Sequence, residues 1–451
     1  MNPQIFREYD IRGLAEKDFD QKFAELLGKV HGTAVAEKGG KRVAVGRDYR
    51  PTSEGYAKAV IDGLLSAGLH VYDLGTCPTP LLYFSLFHLN LDGGVQITAS
   101  HNTSEYNGFK VCSGKDTLFG AQIQELGNKI AAGTYKEQSG GKCESFAIIP
   151  AYQEHVLRDI PALTRPLKVV LDAGSGVAGP VAPPMARQLG CQVWEVACEP
   201  DGTFPIHHPD PTIPENLNDM ISKVRQEKAD LGIAYDGDGD RIGAVDENGK
   251  ILWGDELLVL FSREILKNNP GAVIISEVKC SQRLFDDIEQ RGGVPIMWKA
   301  GHSLIKAKMK ETKALLAGEM SGHMFFADRY FGYDDAIYSS LRLLQLLARA
   351  KRPLSALLSD LPESVSTPEI RVDCPDDLKF KIAEKAKEFF RQHYEVVDVD
   401  GVRVKFPRGW GLIRASNTQP ALVLRFEADS DARLNEYREI IEKKLAQFQN
   451  E

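Results

Sequence analysis

Asp236, Asp238 and Asp240 stand on alternate positions of the run Tyr-Asp-Gly-Asp-Gly-Asp-Arg, Tyr235 to Arg241, with a glycine in each gap. Three carboxylates brought together repel one another unless a cation sits among them, and a hard cation suits oxygen ligands. Glycines at 237 and 239 carry no Cβ, so the backbone can curl until all three side chains aim at one point. Mg²⁺, which commonly shares its shell with a phosphate, is the expected occupant. A solvated acidic turn is the plainer alternative. A calcium loop is the stronger rival, because Asp236, Asp238, Asp240 and Glu247 fall at the first, third, fifth and twelfth places of an EF-hand pattern. Two features oppose it: Arg241 occupies the sixth place, where the sharp turn needs glycine, and both flanks read as strands.

Two further clusters could do chemistry. Ser100 lies inside Thr98-Ala-Ser-His-Asn102, with His101 adjoining it and Lys110 downstream. A serine hydroxyl is a weak nucleophile and needs such polar or cationic neighbours to react. Taken alone, a Ser-His pair is usually an accident of loop composition. Near the C-terminus, Arg414-Ala-Ser-Asn-Thr-Gln-Pro420 gathers a guanidinium, two hydroxyls and an amide, which makes a donor-rich cradle for an anion.

The elements that must position these groups follow a βαβ rhythm. A helix near Asp20 to Ala36 leads to a strand at Arg42 to Val45, a helix at Ser53 to Ala67 and a strand at His70 to Leu74. After helix-like Pro80 to Leu89, the strand from Gly94 breaks at Thr98, where open α/β sheets place ligands. Gly133 to Glu144 reads as a linker. Strands at Leu167 to Asp172 and Leu231 to Tyr235 then lead into the acidic loop. A third unit from Ile251 runs through strand Ala272 to Ser276, helix Arg283 to Gln290, strand Val294 to Trp298 and helix Leu304 to Lys310. Strand, polar loop and helix thus recur three times without recurring residues, a weak internal repeat. After Pro362 to Pro368 the pattern changes to a small α+β arrangement with an antiparallel sheet and a hairpin turning at Asp400-Gly401. The expected division is 1–146, 147–250, 251–362 and 363–451.

The chain has 451 residues, 43% of them hydrophobic, enough for several cores. Its net charge of −8 provides no global field toward nucleic acid or an anionic membrane, so an anionic ligand needs a local basic pocket. Seven scattered cysteines without a Cys-x-x-Cys pair argue against a disulfide framework and a zinc site, and suit a reducing cytoplasm. The N-terminus lacks an apolar leader and no later run is long enough to span a membrane. A monomer is expected, with a dimer as the alternative.

With Thr98-Ala-Ser-His-Asn102, Asp236-Gly-Asp-Gly-Asp-Arg241, Gly318-Glu-Met-Ser-Gly-His323 and Arg414-Ala-Ser-Asn-Thr418 in this order, the chain resembles the α-D-phosphohexomutase family over essentially its whole length. The resemblance implies three similar mixed α/β domains and a smaller C-terminal α+β domain around one cleft. It implies a phosphorylated Ser100, with Asp236, Asp238 and Asp240 holding Mg²⁺ against an oxygen of that phosphoserine, and Arg241 offsetting charge on the phosphoryl group. Lys110 and His302 become candidates for moving the sugar hydroxyl proton, with His101 beside the serine. Tyr9 and Arg12 match the family's opening motif. Glu319, Ser321 and His323 are expected to read sugar O3 and O4, so that mannose and glucose, which differ at C2, are both accepted. Arg414, Ser416, Asn417 and Thr418, helped by Lys279, would grip the phosphate that is not reacting.

The substrates implied are phosphosugars, with glucose 1,6-bisphosphate or mannose 1,6-bisphosphate as activator and intermediate. A phosphoglucosamine mutase, which usually carries glutamine where Met320 stands, is the nearest rival; a metal-dependent phosphatase and a calcium-binding module are more distant ones. One departure is visible. Many relatives have proline after the Ser-His-Asn, whereas Thr103 stands here, which puts the rigidity of the loop in question.

Overall fold

The computed structural model describes residues 2–416 and 420–450, apart from the side chains at 376, 449 and 450. Four sheets follow one another along the chain. The first contains β1 (Ile11–Leu14), β2 (Arg42–Arg47), β3 (His70–Thr76), β4 (Gly93–Ile97), β5 (Tyr106–Ser113), β6 (Asp116–Thr117) and β7 (Lys142–Ser145). The second contains β8 (Lys168–Asp172), β9 (Gln192–Val196), β10 (Leu231–Tyr235), β11 (Ile242–Asp246) and β12 (Ile251–Leu252). The third contains β13 (Val273–Glu277), β14 (Val294–Trp298), β15 (Leu316–Gly318) and β16 (Met324–Phe326).

One arrangement recurs in all three. β2 runs parallel between β3 and β4, and β5 returns antiparallel against β4. In the same way β8 lies between β9 and β10 with β11 against β10, and β13 lies between β14 and β15 with β16 against β15. The repeat that sequence rhythm left weak is therefore a repeat of strand order. It brings three connections to equivalent places: residues 98–105 after β4, 236–241 after β10 and 319–323 after β15. Each holds one of the motifs singled out above.

The fourth sheet is antiparallel, built from β17 (Val365–Ser366), β18 (Ile370–Asp373), β19 (Val396–Val397), β20 (Val402–Phe406), β21 (Gly409–Ala415) and β22 (Ala421–Ala428). Helices Asp376–Arg391 and Asp431–Asn450 bury Ile382, Phe390, Ile441 and Leu445 against it. This core is its own. By contrast, one continuous apolar cluster runs from Leu81 and Phe84 through Leu171 and Ile233 to Leu258 and Tyr338, joining the first three sheets. A small patch of Val278, Trp410 and Leu412 connects the two blocks. There the buried Arg403 donates to the carbonyls of Val278 and Cys280, each at 2.7 Å, and stacks 3.7 Å from the Trp410 ring.

The structure departs from the sequence reading at the joints. The polar stretch Gly133 to Glu144 ends in β7, which pairs with β3 at a sheet edge. It reads as a linker because all four of its residues are exposed and no face carries an apolar pattern. β12 closes the second sheet against β11 although it lies beyond residue 250, and β17 pairs with β22 from inside the stretch between Pro362 and Pro368. Among the described residues no helix is long and apolar enough to cross a membrane, and every cysteine is free.

Candidate active site

The acidic loop forms as a hairpin connection between β10 and β11, strands with fully buried patterns, which removes the helical flanks an EF-hand requires. Asp236 turns one oxygen inward to brace the loop: its Oδ1 accepts from the amides of Asp240 at 3.0 Å and Arg241 at 3.1 Å. Its Oδ2 accepts from Ser100 Oγ at 2.7 Å. A glycine is obligatory next to it, since a Cβ on Gly237 would stand 2.5 Å from the Ser100 carbonyl oxygen.

Asp236, Asp238 and Asp240 are fully buried and each brings a ligand atom within 4.8 Å of the others. Asp238 Oδ2 is held by Thr79 Oγ1 at 2.6 Å and Lys110 Nζ at 2.8 Å, and Lys110 also contacts Asp240. Asp238 Oδ1 and Asp240 Oδ1 have no hydrogen-bond partner. Burial and the charges of Asp238 and Asp240 push the Asp236 carboxyl well above the usual carboxylate range. Burial also opposes charge on Asp238, yet the Lys110 ammonium and the bonds from Lys110 and Thr79 hold it far below that range. Orphaned carboxylate oxygens on two buried aspartates beside a third fit a hard divalent cation.

Ser100 sits at φ 52°, a left-handed conformation that costs an L-residue about 1–2 kcal/mol. Its amide donates to Thr98 Oγ1 at 2.9 Å, and its Oγ lies 3.2 Å from His101 Nδ1. Arg12 donates to Asn102 Oδ1 at 2.7 Å and pairs with Asp10. Lys110, on β5, is enclosed by the two aspartates. Although burial alone disfavours its charge, Asp238 and Asp240 raise its affinity for the proton well above the ordinary lysine value. In this arrangement its ammonium is paired with two of the three cage carboxylates.

His302 begins helix His302–Thr312 and stacks 5.4 Å from His323. Burial, then Lys306, pushes His302 well below the usual histidine range. Asp334 lies beside both rings, 3.1 Å from His323 Nδ1 and 3.6 Å from His302 Nδ1, and accepts from Lys306 Nζ at 3.1 Å. Arg241 Nε donates to His323 Nε2 at 3.0 Å, joining the acidic loop to the sugar-loop motif. Tyr9 donates to the Ala300 carbonyl at 2.7 Å and stands edge-on to His302. The Gly301 amide donates to Glu319 Oε1 at 2.7 Å. Ser321 is half-buried in the same connection.

Lys279 is clamped by Glu369 at 2.7 Å and Glu277 at 3.4 Å. Lys279 draws the Glu369 carboxyl down to about 2, whereas burial pushes Glu277 up to about 7. Arg414 pairs with Asp400 at 3.1 Å, and Asp400 also accepts from the Ala300 amide at 3.2 Å, so the fourth unit's hairpin turn reaches the third unit beside Tyr9. Ser416 is buried at the end of β21. Asn417 and Thr418 lie outside the described residues.

Contacts thus join Ser100 to Asp236, Lys110 to Asp238 and Asp240, Arg241 to His323, and His302 to Tyr9 and His323, while Lys279, Arg414 and Ser416 lie toward the fourth unit. Sequence reasoning missed Arg50, Thr79, Asp334, Glu277 and Asp400. Arg50 follows the polar Gly46-Arg-Asp48 loop by two residues and carried no motif, and Asp334 was hidden beside Asp335, whose role as the cap of helix Ala336–Ala350 explains an acidic pair there.

A buried hydroxyl facing a carboxylate cage within a cation-rich cleft defines an enzyme of phosphoryl transfer. Models of the phosphoglucomutase/phosphomannomutase family match along the chain: α/β/α domain I at 3–137, domain II at 150–249, domain III at 253–365 and the C-terminal domain at 369–444. The chain belongs to this family. It is 47% identical to the phosphomannomutase/phosphoglucomutase of Pseudomonas aeruginosa over 98% of its own length and 95% of that protein. A crystal structure of a family protein from Burkholderia thailandensis superposes with a TM-score of 0.93 at 44% identity, covering 100% of this chain and 98% of the other. An N-acetylphosphoglucosamine mutase of Aspergillus fumigatus, solved with GlcNAc-6P and magnesium, shares the fold at a TM-score of 0.65 and 13% identity, over 98% of this chain and 96% of that one.

Proposed function

We propose that Ser100 carries the phosphoryl group through which the protein, an isomerase of the phosphohexomutase class, interconverts hexose 1-phosphates and hexose 6-phosphates. The observation that carries this reading is the 2.7 Å contact between Ser100 Oγ and Asp236 inside the buried three-aspartate cage, a contact that a calcium loop does not need. Asp236, Asp238, Asp240 and an oxygen of the Ser100 phosphate hold Mg²⁺, which when bound offsets negative charge on the phosphoryl group.

Phospho-Ser100 donates to the free hydroxyl of a mannose or glucose phosphate. The hydroxyl proton passes to His302, with Asp334 3.6 Å from its Nδ1 to stabilise an imidazolium. His323, whose Nε2 already accepts from Arg241, stacks against that ring, while Lys110 and Arg241 supply charge. The 1,6-bisphosphosugar then turns over in the cleft and returns its other phosphate to Ser100. Glu319 Oε2 and Ser321 hold the sugar through O3 and O4, and Arg414, Ser416, Asn417, Thr418 and Lys279 hold the distal phosphate. Retention of the intermediate calls for closure of the fourth unit, which its separate core permits. The free cysteines fit a reducing compartment such as the cytoplasm.

Ser100→Ala should abolish turnover of mannose and glucose 1-phosphates, and intact-mass analysis of the wild type mixed with glucose 1,6-bisphosphate should find one phosphoryl group on the Ser100 peptide. Full activity in the variant would falsify the proposal. Release of inorganic phosphate in step with turnover would instead make the enzyme a phosphatase, and assay of glucosamine 1-phosphate alongside separates an amino-sugar substrate.

A further inference from the structure

Ser100 is kept in its left-handed conformation by a residue that touches neither the cage nor the expected substrate position. A guanidinium offers five N–H donors in a rigid fork, and Arg50 uses all five. Its Nε donates to Asp48 Oδ2 at 3.0 Å. Nη1 donates to the carbonyls of Thr103 at 2.5 Å and Tyr106 at 3.0 Å, and Nη2 to those of Ser100 at 2.9 Å and Asn102 at 2.6 Å. Three carbonyls of one short loop and that of the first residue of β5 therefore point inward at a single side chain that is completely buried.

Asp48 fixes the other end. Its Oδ1 accepts from the Arg50 amide at 3.0 Å and from Ser53 Oγ at 2.5 Å, which roots the fork in the start of helix Ser53–Ser66. Phe204, from the second unit, covers the guanidinium at 5.0 Å. The Ser100 carbonyl that Arg50 grips is the atom against which Gly237 packs, so the fork sets the spacing between the serine loop and the acidic loop.

We propose that Arg50 is the positioning residue of the phosphoryl-accepting serine, holding Ser100 Oγ on the carboxylate cage and thereby setting the rate of phosphoryl transfer without contacting the sugar. The inference rests on Ser100 being the phosphorylated residue. Lysine has three donors on a point charge and cannot reproduce the fork, and a misplacement of about 1 Å at a reacting group costs roughly 10²-fold in rate.

The test compares wild type, Arg50→Lys and Arg50→Ala in turnover of glucose 1-phosphate and in phosphorylation of the Ser100 peptide by glucose 1,6-bisphosphate, with and without millimolar methylguanidinium. Both variants should lose about 10²-fold in kcat and in the phosphorylation rate with KM little changed, and methylguanidinium should recover Arg50→Ala but not Arg50→Lys. A purely structural role would show instead as a lowered Tm and less active protein, with normal phosphorylation of the folded fraction and no rescue, and that pattern overturns the proposal. Unchanged kcat in Arg50→Lys overturns it as well. If wild-type Ser100 takes no phosphoryl group, the underlying assignment of the serine fails, and this is distinguishable because it needs no variant.

Discussion

The serine loop and the acidic loop occupy the same place in successive repeats, each joining the third strand of its unit to an antiparallel fourth, yet they are held in opposite ways. Residues 236–241 brace themselves: the Asp236 side chain receives the amides of Asp240 and Arg241, its own amide donates to the Arg241 carbonyl at 3.2 Å, and the Gly239 amide returns to the Asp236 carbonyl at 3.1 Å. Residues 98–105 are longer and take most of their bracing from outside, through Arg50 and Arg12. A loop whose task is to concentrate charge can spend one of its own carboxylate oxygens on shape. A loop that presents a single hydroxyl at a set distance spends one side chain, Thr98, on its own shape and is otherwise held largely by Arg50 and Arg12.

The difference can be broken first on the acidic side. Asp238→Asn removes an oxygen ligand and half of the Lys110 charge pairing, and turnover should fall by about two to three orders of magnitude, with a raised Mg²⁺ requirement read by metal titration. A change of less than threefold would contradict the cage. Gly237→Ala leaves every reactive group in place but sets a Cβ 2.5 Å from the Ser100 carbonyl, so it tests the spacing between the loops alone. The expected loss is about 10²-fold in kcat with unchanged sugar binding, measured by steady-state kinetics.

The third connection, after β15, sharpens the contrast, because it is braced by a carboxylate at the foot of β13: Glu277 Oε1 accepts the Met320 amide at 3.0 Å. Burial raises the Glu277 pKa to about 7 from an ordinary value of 4.5. The folded state therefore binds this proton more tightly than the unfolded chain, and the contribution is fully present below pH 4.5 and lost as pH rises through about 7. Glu277→Gln should flatten the stability profile between those limits, with a gain of about 1–3 kcal/mol on the alkaline side in denaturant melts. An unaltered slope would mean that Glu277 is not the titrating group.

Legibility in the sequence followed the same division. Asp236, Asp238 and Asp240 announce themselves because bracing and function lie within six consecutive residues, and the strands on either side are long apolar runs. The α/β rhythm and the late antiparallel unit were readable for the same local reason. Arg50 and Asp334 act across 50 or more positions or from beside a better-explained neighbour, so no spacing rule reaches them. The pairing of Lys110 was not readable, since it depends on two aspartates reached only through folding. β7 and β17 escaped notice because short edge strands with polar faces leave no periodic trace.

The shared apolar mass beneath the first three sheets has a consequence for how the molecule responds to heat and force. The first three units share one apolar cluster, although the first also keeps a core of its own around Val43, Tyr56 and Phe109. The last unit, with its private interior, meets the third through the Trp410 and Arg403 patch and the polar pairs Lys279–Glu369 and Ala300–Asp400, and can come away at lower cost. Compliance is expected to concentrate at that joint, so that the floor carrying the serine and the aspartates keeps its dimensions while the roof above it moves.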